Sequence, residues 1–236
     1  MRGYALAADY LAGQGLRCVD MMEILRRDRS ALRYAQRDGV LLFDQESGAW
    51  LLSARSETAL KAALVLIPSE TRLAVCHEEE YLRSMQARLG LEPTACFQSV
   101  WTGKNPPVLP EFQGELRRLG QEWAGEVSTW YDKSFGDLDY ICGAIERGML
   151  GLFVEERLAG FVGFHDEGSI GMLEVLSAYR RRGYGRVLLL AAVREALEQG
   201  KYAFGQVFCD NTPSLHLQHK SGMEVCREKI FWLMEK

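Results

Sequence analysis

Histidine and proline are scarce in this chain. Its 236 residues hold four of the first and six of the second. The six cysteines, Cys18, Cys76, Cys96, Cys142, Cys209 and Cys226, stand singly, with no C-x-x-C pair. That argues against a zinc cluster, and in a chain of this size against a disulfide framework. The expected state is reduced thiols in a cytoplasmic protein. Long apolar runs are missing too. The longest, such as Val187–Val193, fall well short of the ~20 residues a membrane span needs. The N-terminal MRGYALAADYLAGQG is interrupted by Asp9 and Gly13 and does not read as a signal peptide. Neither sign of charge dominates: 28 basic residues against 32 acidic leave a net charge of −4. A general nucleic-acid binder needs a basic field, so none is expected here.

What is present is ordinary globular composition, 47% hydrophobic and 25% charged, which excludes disorder and low complexity. Residues 1–38 read as helical, because MMEILRR and SALRYAQRDG carry apolar positions at three- and four-residue spacing. VLLFDQESGAWLLS reads as a hairpin around Asp44–Gly48. A helix from Ser56, a strand RLAVCHE, a helix closed by Gly90 and a strand Thr94–Trp101 follow. Three of the six prolines then fall at positions 106–110, beside Gly103 and Asn105. Such a stretch continues neither helix nor central strand. It divides the chain into residues 1–102, a linker at 103–110, and residues 111–236.

In the second part, residues 111–131 and 137–147 read as helical. Three strands in close succession, LGLFVEE, RLAGFVGFHDEG and SIGMLEVLS, precede a long helix, RRGYGRVLLLAAVREALEQG. Strand YAFGQVFCD, short helix TPSLHLQHKSG and strand MEVCREKIFWLM complete it. The two parts share a rough element order, which makes an internal duplication one explanation of the layout. The fold class is α/β.

The most informative segment is LEVLSAYRRRGYGR, Leu173–Arg186. A strand runs into Arg180-x-x-Gly183-x-Gly185, and a helix begins there. A helix start offers unpaired N–H groups and the positive end of the dipole, and glycine lets the backbone close on an anion. Arg180, Arg181, Arg182 and Arg186 add positive potential. A pyrophosphate suits such a loop; the competing reading is a glycine-rich connection with solvated arginines. Rival phosphate motifs fit less well. A dinucleotide fingerprint needs glycine where Leu188 stands, although Asp210 at the next strand end keeps that rival open. The nearest Walker-like string, QSVWTGKN, lacks the first glycine and the final hydroxyl.

In this combination the segment resembles the GNAT superfamily of acyl-CoA-dependent N-acyltransferases. The resemblance continues through Asp210-Asn211, Asn211-x-x-Ser214 opening a short helix, and Lys220-x-Gly222 before the last strand. It covers about residues 111–236. Residues 39–101 resemble a degenerate copy whose corresponding loop, SARSET, has no glycine. The two-part layout is also similar to glycine N-acyltransferase-like enzymes. The resemblance implies a splayed mixed sheet with acetyl-CoA in the cleft. The pyrophosphate would lie on the amides of Arg181–Arg186, Tyr184 included. The pantetheine arm would run along Leu173–Leu176, and Asn211 and Ser214 would flank it. A bulge near Val175 would present the N–H that polarises the thioester carbonyl.

An attacking ammonium must lose a proton, so a base is required. Glu174 is the first choice, with Glu167 and His165 as the others. Imidazole has the most suitable ordinary titration range. Where the family pattern N-x-x-S-x-x-L-Y-x-K-x-G has the tyrosine that protonates the leaving thiolate, this chain has Gln218. Glutamine offers a hydrogen bond but no proton. His216 and His219 sit at i,i+3 without a third ligand at metal spacing, so no metal is expected. Trp101, Trp123, Trp130, Tyr131 and Trp232 read as core or cleft-wall aromatics. The expected partners are acyl-CoA and a small amine, with a second copy of the chain as a candidate. The alternatives are a CoA-binding module with little turnover, kept open by Gln218, and acylation of a protein N-terminus or lysine.

Overall fold

The computed structural model describes residues 2–131 and 137–235. Part of the acceptor-side region expected from the sequence, residues 132–136, lies outside the described residues. The first repeat runs α1 (Arg2–Ala12), α2 (Val19–Arg27), β1 (Leu32–Gln36), β2 (Gly39–Phe43), β3 (Trp50–Ala54), α3 (Glu57–Leu64), β4 (Leu73–Cys76), α4 (Leu82–Leu89) and β5 (Glu92–Val100). The second runs β6 (Glu115–Arg118), α5 (Ala124–Trp130), α6 (Leu138–Glu146), β7 (Leu150–Val154), β8 (Arg157–Phe164), β9 (Ile170–Val175), α7 (Tyr184–Glu198), β10 (Phe204–Phe208), α8 (Thr212–Lys220) and β11 (Glu224–Met234). From α1 and from α5 onward the two orders agree element for element.

Two expectations are corrected. SALRYAQRDG was expected to be helical, but Leu32–Gln36 is strand β1, paired antiparallel with β2 through Leu32↔Leu42 and Gln36↔Gly39. Residues 111–131 were likewise expected to be helical, but Glu115–Arg118 is strand β6, paired with β7. Leu, Arg, Ala, Gln and Glu are good helix formers. Here pairing with a strand distant in sequence overrides that local preference.

The chain forms two compact units. One comprises Met1–Val100, Gln206–Thr212 and Val225–Lys236; the other comprises Trp101–Gly205 and Pro213–Glu224. The units therefore do not follow the proline-rich stretch alone, because the chain's last strand is housed in the first unit. There the strand order is β1-β2-β3-β4-β11-β5, with β11 antiparallel to β4 from Phe231↔Cys76 to Met234↔Leu73. Strand β2 is apolar on both faces, as a strand in a covered sheet requires. Val40 and Leu42 of β2 join a cluster with Leu11, Met21 and Ile24, whereas Leu41 joins one with Leu60, Ile67 and Met85. The unit also encloses charge. His77 and Asp20 are fully buried; the ring's Nε2 lies 2.9 Å from Asp20 Oδ1, and Nδ1–H donates to the Leu52 carbonyl at 3.0 Å.

In the second unit the order is β9-β8-β7-β6, with Phe204 and Gly205, the first two residues of β10, beside β9. Leu152, Val162 and Ile170 pack with Val187, Leu188 and Val193 of α7 on one face. Phe153, Phe161 and Met172 pack with Val127, Ile141 and Ile145 of α5 and α6 on the other. Full burial of each such side chain contributes roughly 1.5–3 kcal/mol, which fixes β9 between two layers. Among the described residues, no helix is long and apolar enough to cross a membrane.

Candidate functional site

Strand β9 positions the site, and two irregularities in it matter. The first is an open edge: β9 pairs with β10 at Ile170↔Gly205 alone. The equivalent strands of the first unit, β3 and β4, are zipped through Trp50↔Ala74, Leu51↔Val75 and Leu52↔Cys76. The Leu176 amide donates to Ala159 on β8 at 2.9 Å. By strand alternation the main-chain groups of Val175 point to the opposite, open edge. The second irregularity is a bulge. Phe161 faces Glu174 and Gly163 faces Gly171, so β9 carries one extra residue between those pairs. It falls at Met172, whose φ is 51°. The bulge expected near Val175 is therefore three residues earlier, and Val175 itself pairs regularly with Gly160.

After β9 the chain turns through a 3-10 turn at Ser177–Tyr179 into α7. Gly183 caps that helix at φ 84°, a conformation costly for any residue with a Cβ. Arg181 also has positive φ, 65°. Among the described residues, no main-chain carbonyl accepts from the amides of Arg181, Arg182, Gly183, Tyr184 or Gly185. The Arg186 amide, included in the sequence-based set, is already committed to the Gly183 carbonyl at 3.0 Å. A cavity of about 280 Å³ opens here, lined by Pro110, Glu111, Arg182, Gly183, Gly185, Arg186, Val187, Leu217 and Lys220. The buried Nε of Arg186 has no hydrogen-bond partner. Free amides, Arg182, Arg186 and Lys220 suit a diphosphate, with Glu111 the one acid in the lining. The donor set therefore fits the nucleotide end of CoA.

The arginines divide. Arg182 and Arg186 line the cavity. Arg180 turns back along the open edge instead: Nε donates to the Val175 carbonyl at 2.9 Å and Nη2 pairs with Glu174 Oε1 at 2.9 Å. Arg181 is exposed. Tyr184 is buried in the cluster beneath α7, and Leu173 and Val175 pack against that cluster. Leu176 lies with the α5–α6 face.

The proton-transfer candidates separate as well. Glu174 is held by Arg180. Glu167 is buried and accepts from the Ser169 hydroxyl. His165, at the end of β8, has Nδ1 hydrogen bonded to the Tyr140 hydroxyl from α6, and its amide donates to the Ser169 carbonyl at 2.9 Å. Tyr140 was not among the residues expected from the sequence. Burial above all, then the charges of Glu167 and Asp166, push its hydroxyl well above the ordinary phenol range. It therefore stays protonated at neutral pH. Gln218 is buried in α8, and its carbonyl accepts from the Ser221 and Met223 amides. Ser214 lies in the first turn of α8. Asn211 lies in the turn before it, its amide donating to Phe208 O at 3.0 Å. His216 and His219 are exposed on α8. Trp101 packs in the α7 cluster. Trp123 meets Phe153 edge-on at 5.0 Å. Tyr131 is buried, and Trp130 is exposed. Trp232 donates to Gln206 at 2.6 Å in the first unit.

The fold thus combines a splayed strand pair with a helix start whose amides, among the described residues, have no main-chain carbonyl acceptor. Residues 116–223 match the model of the acetyltransferase (GNAT) family and form a domain of that family. Similar solved structures extend over nearly the whole chain. A Drosophila protein superposes with TM-score 0.75 at 18% identity, covering 98% of this chain and 95% of its own. A GCN5-related N-acetyltransferase from Kribbella flavida gives 0.55 at 13%, covering 98% and 95%. A tandem GNAT protein from the clavulanic acid biosynthesis pathway gives 0.50 at 16%, covering 99% and 94%. No curated protein matches the chain.

Proposed function

We propose that the second unit transfers an acetyl or short acyl group from acyl-CoA to the primary amine of a small molecule or amino acid. The observation that carries this reading is the continuity of β9's open edge with the free amides of Arg181–Gly185. An extended amide-bearing arm can add to the first while its diphosphate sits on the second. The bound thioester supplies an activated acyl carbon. A main-chain N–H at the Met172–Leu173 bulge would donate to the carbonyl oxygen as charge builds there. His165 accepts the ammonium proton, since Glu174 is engaged by Arg180 and Glu167 by Ser169. The amine nitrogen bonds to the carbonyl carbon, the C–S bond breaks, the sulfur leaves as a thiolate, and the second proton of the nitrogen passes to solvent to leave the neutral amide. A thiol of ordinary pKa near 8.5 is a fair leaving group with a hydrogen bond alone, which accommodates Gln218.

A panel of amines with acetyl-CoA, read by thiol release and product mass, tests the reading. Amine-dependent release supports it. The presence of glutamine where the family pattern has tyrosine favours a second reading, CoA binding with little turnover. Tight CoA binding without release from any amine would select that one.

A further inference from the structure

His165 and Tyr140 are 25 positions apart and share no motif, yet the fold joins them beside the bulged segment of β9. Their rings lie 6.2 Å apart, centroid to centroid. Gly171 makes this placement sterically allowed: a Cβ there would overlap Nε2 and Cδ2 of His165. The imidazole therefore lies against the strand one residue before Met172, with Nε2 toward β9 and Nδ1 toward α6.

Among the described residues, the charged and titratable groups that act on the pair come from α6, from the β8–β9 turn and, through Tyr131, from the end of α5. From α6 and its end come Tyr140 and Arg147, whose guanidinium is 5.7 Å from the Tyr140 ring centre. The β8–β9 turn supplies Asp166, paired with Arg147 at 2.6 Å, and Glu167, held by Ser169. β9 supplies Gly171 and no charge at that point. The negative charges of Asp166 and Glu167 act on the Tyr140 hydroxyl. A protonated phenol can donate or accept at Nδ1; for Nε2 to serve as a base, Nδ1 must carry the imidazole proton and the phenol oxygen accept it.

We infer that Tyr140 is a positioning residue, accepting a hydrogen bond from Nδ1–H of His165 and so holding the imidazole in the tautomer whose Nε2 lone pair faces the bulge of β9. Gly171 acts with it by admitting the ring. In the transfer step Nε2 takes the proton from the ammonium. The resulting imidazolium keeps its Nδ1–H on the phenol oxygen, and Tyr140 itself neither gains nor loses a proton. The inference rests on the acyl-transfer reading for its consequence, though not for its geometry.

The test has two arms. In the first, the full chain is labelled with 15N-histidine, and the ring nitrogens are read by long-range proton–nitrogen correlation above neutral pH, with the His165 signals assigned by their loss in His165→Gln. The account expects protonated Nδ1 and bare Nε2 in the native protein, and loss of that preference in Tyr140→Phe. In the second, steady-state kinetics on an accepted amine should show kcat about tenfold lower in Tyr140→Phe. KM for amine and acetyl-CoA should not change, a split that general loss of structure would not produce. His165→Gln should lose about 100-fold or more. A proton on Nε2 in the native protein overturns the inference while leaving acyl transfer intact; so does native kcat in Tyr140→Phe. If no amine is acylated, the transfer reading fails and the tautomer still decides the geometry. Should Tyr140→Phe not fold, the native spectrum alone decides it.

Discussion

Replacing Gly183 by glutamate tests the anion site, and the structure sets the size of the effect. Gly183 caps α7 at φ 84°, and an added Cβ there meets nothing within 4 Å. The steric cost is therefore conformational alone, about 1–2 kcal/mol for a left-handed residue. Alanine pays that cost and no other. Glutamate adds a carboxylate at the mouth of the cavity. At about 5 Å from a diphosphate charge, with an effective dielectric near ~20, the repulsion is about 3 kcal/mol. That converts to roughly 150-fold weaker binding. Calorimetric titration with CoA should show Gly183→Ala close to native in Kd, although less thermally stable. Gly183→Glu should lose about two orders of magnitude, with a penalty that shrinks as salt is raised. Native affinity in a folded Gly183→Glu protein would refute the placement of the diphosphate.

Further outcomes follow from particular contacts. Glu174→Gln should leave the rise of rate with pH in place, because the Glu174 carboxylate is held by Arg180 at 2.9 Å; a flattened profile would restore Glu174 as the base. Glu155 and Glu156 form the two-residue turn between β7 and β8 at φ 49° and 61°. Changing them to Asn-Gly, which that turn favours, should raise Tm by about 2–4 °C, and the exposed Arg117–Glu156 pair lost with the change offsets little. Burial alone would lower the His77 imidazole, but Asp20's charge and hydrogen bond, with Glu78 and the Leu52 carbonyl, outweigh it and leave the group raised. Its stabilisation is therefore full below the unfolded imidazole value of about 6.5 and is lost as pH rises through the higher native value. Denaturation midpoints measured from pH 6 to 9 should fall, and the fall should be smaller in Asp20→Asn, which is itself destabilised by about 3–5 kcal/mol.

The proposed anion site could be picked out because its signal is local: two glycines and a set of arginines at fixed offsets between an apolar strand and an apolar helix. The hairpin β2–β3 and helix α7 were legible for similar reasons, through turn residues and a continuous apolar pattern. Strands β1 and β6 were not. Both carry helix-favouring residues, and neither is fully buried on one face, so alternation is weak. Recognising β1 also completes the agreement in element order between the two halves, which a helical reading of Leu32–Gln36 had obscured. The housing of β11 between β4 and β5 has no trace in sequence, since it depends on which edge is available. Within the site, Arg180 and Glu174 are six positions apart across a turn, a spacing that no helical or strand rule pairs. Tyr140 and His165 meet only because Gly171 lets a ring lie where a side chain would otherwise stand.

A crystal structure of the chain with acetyl-CoA tests the central claim most directly. The account predicts diphosphate oxygens within hydrogen-bond distance of amides between Arg181 and Gly185, with the guanidinium of Arg186 alongside. A diphosphate seated on other residues, with those amides facing solvent, would contradict it.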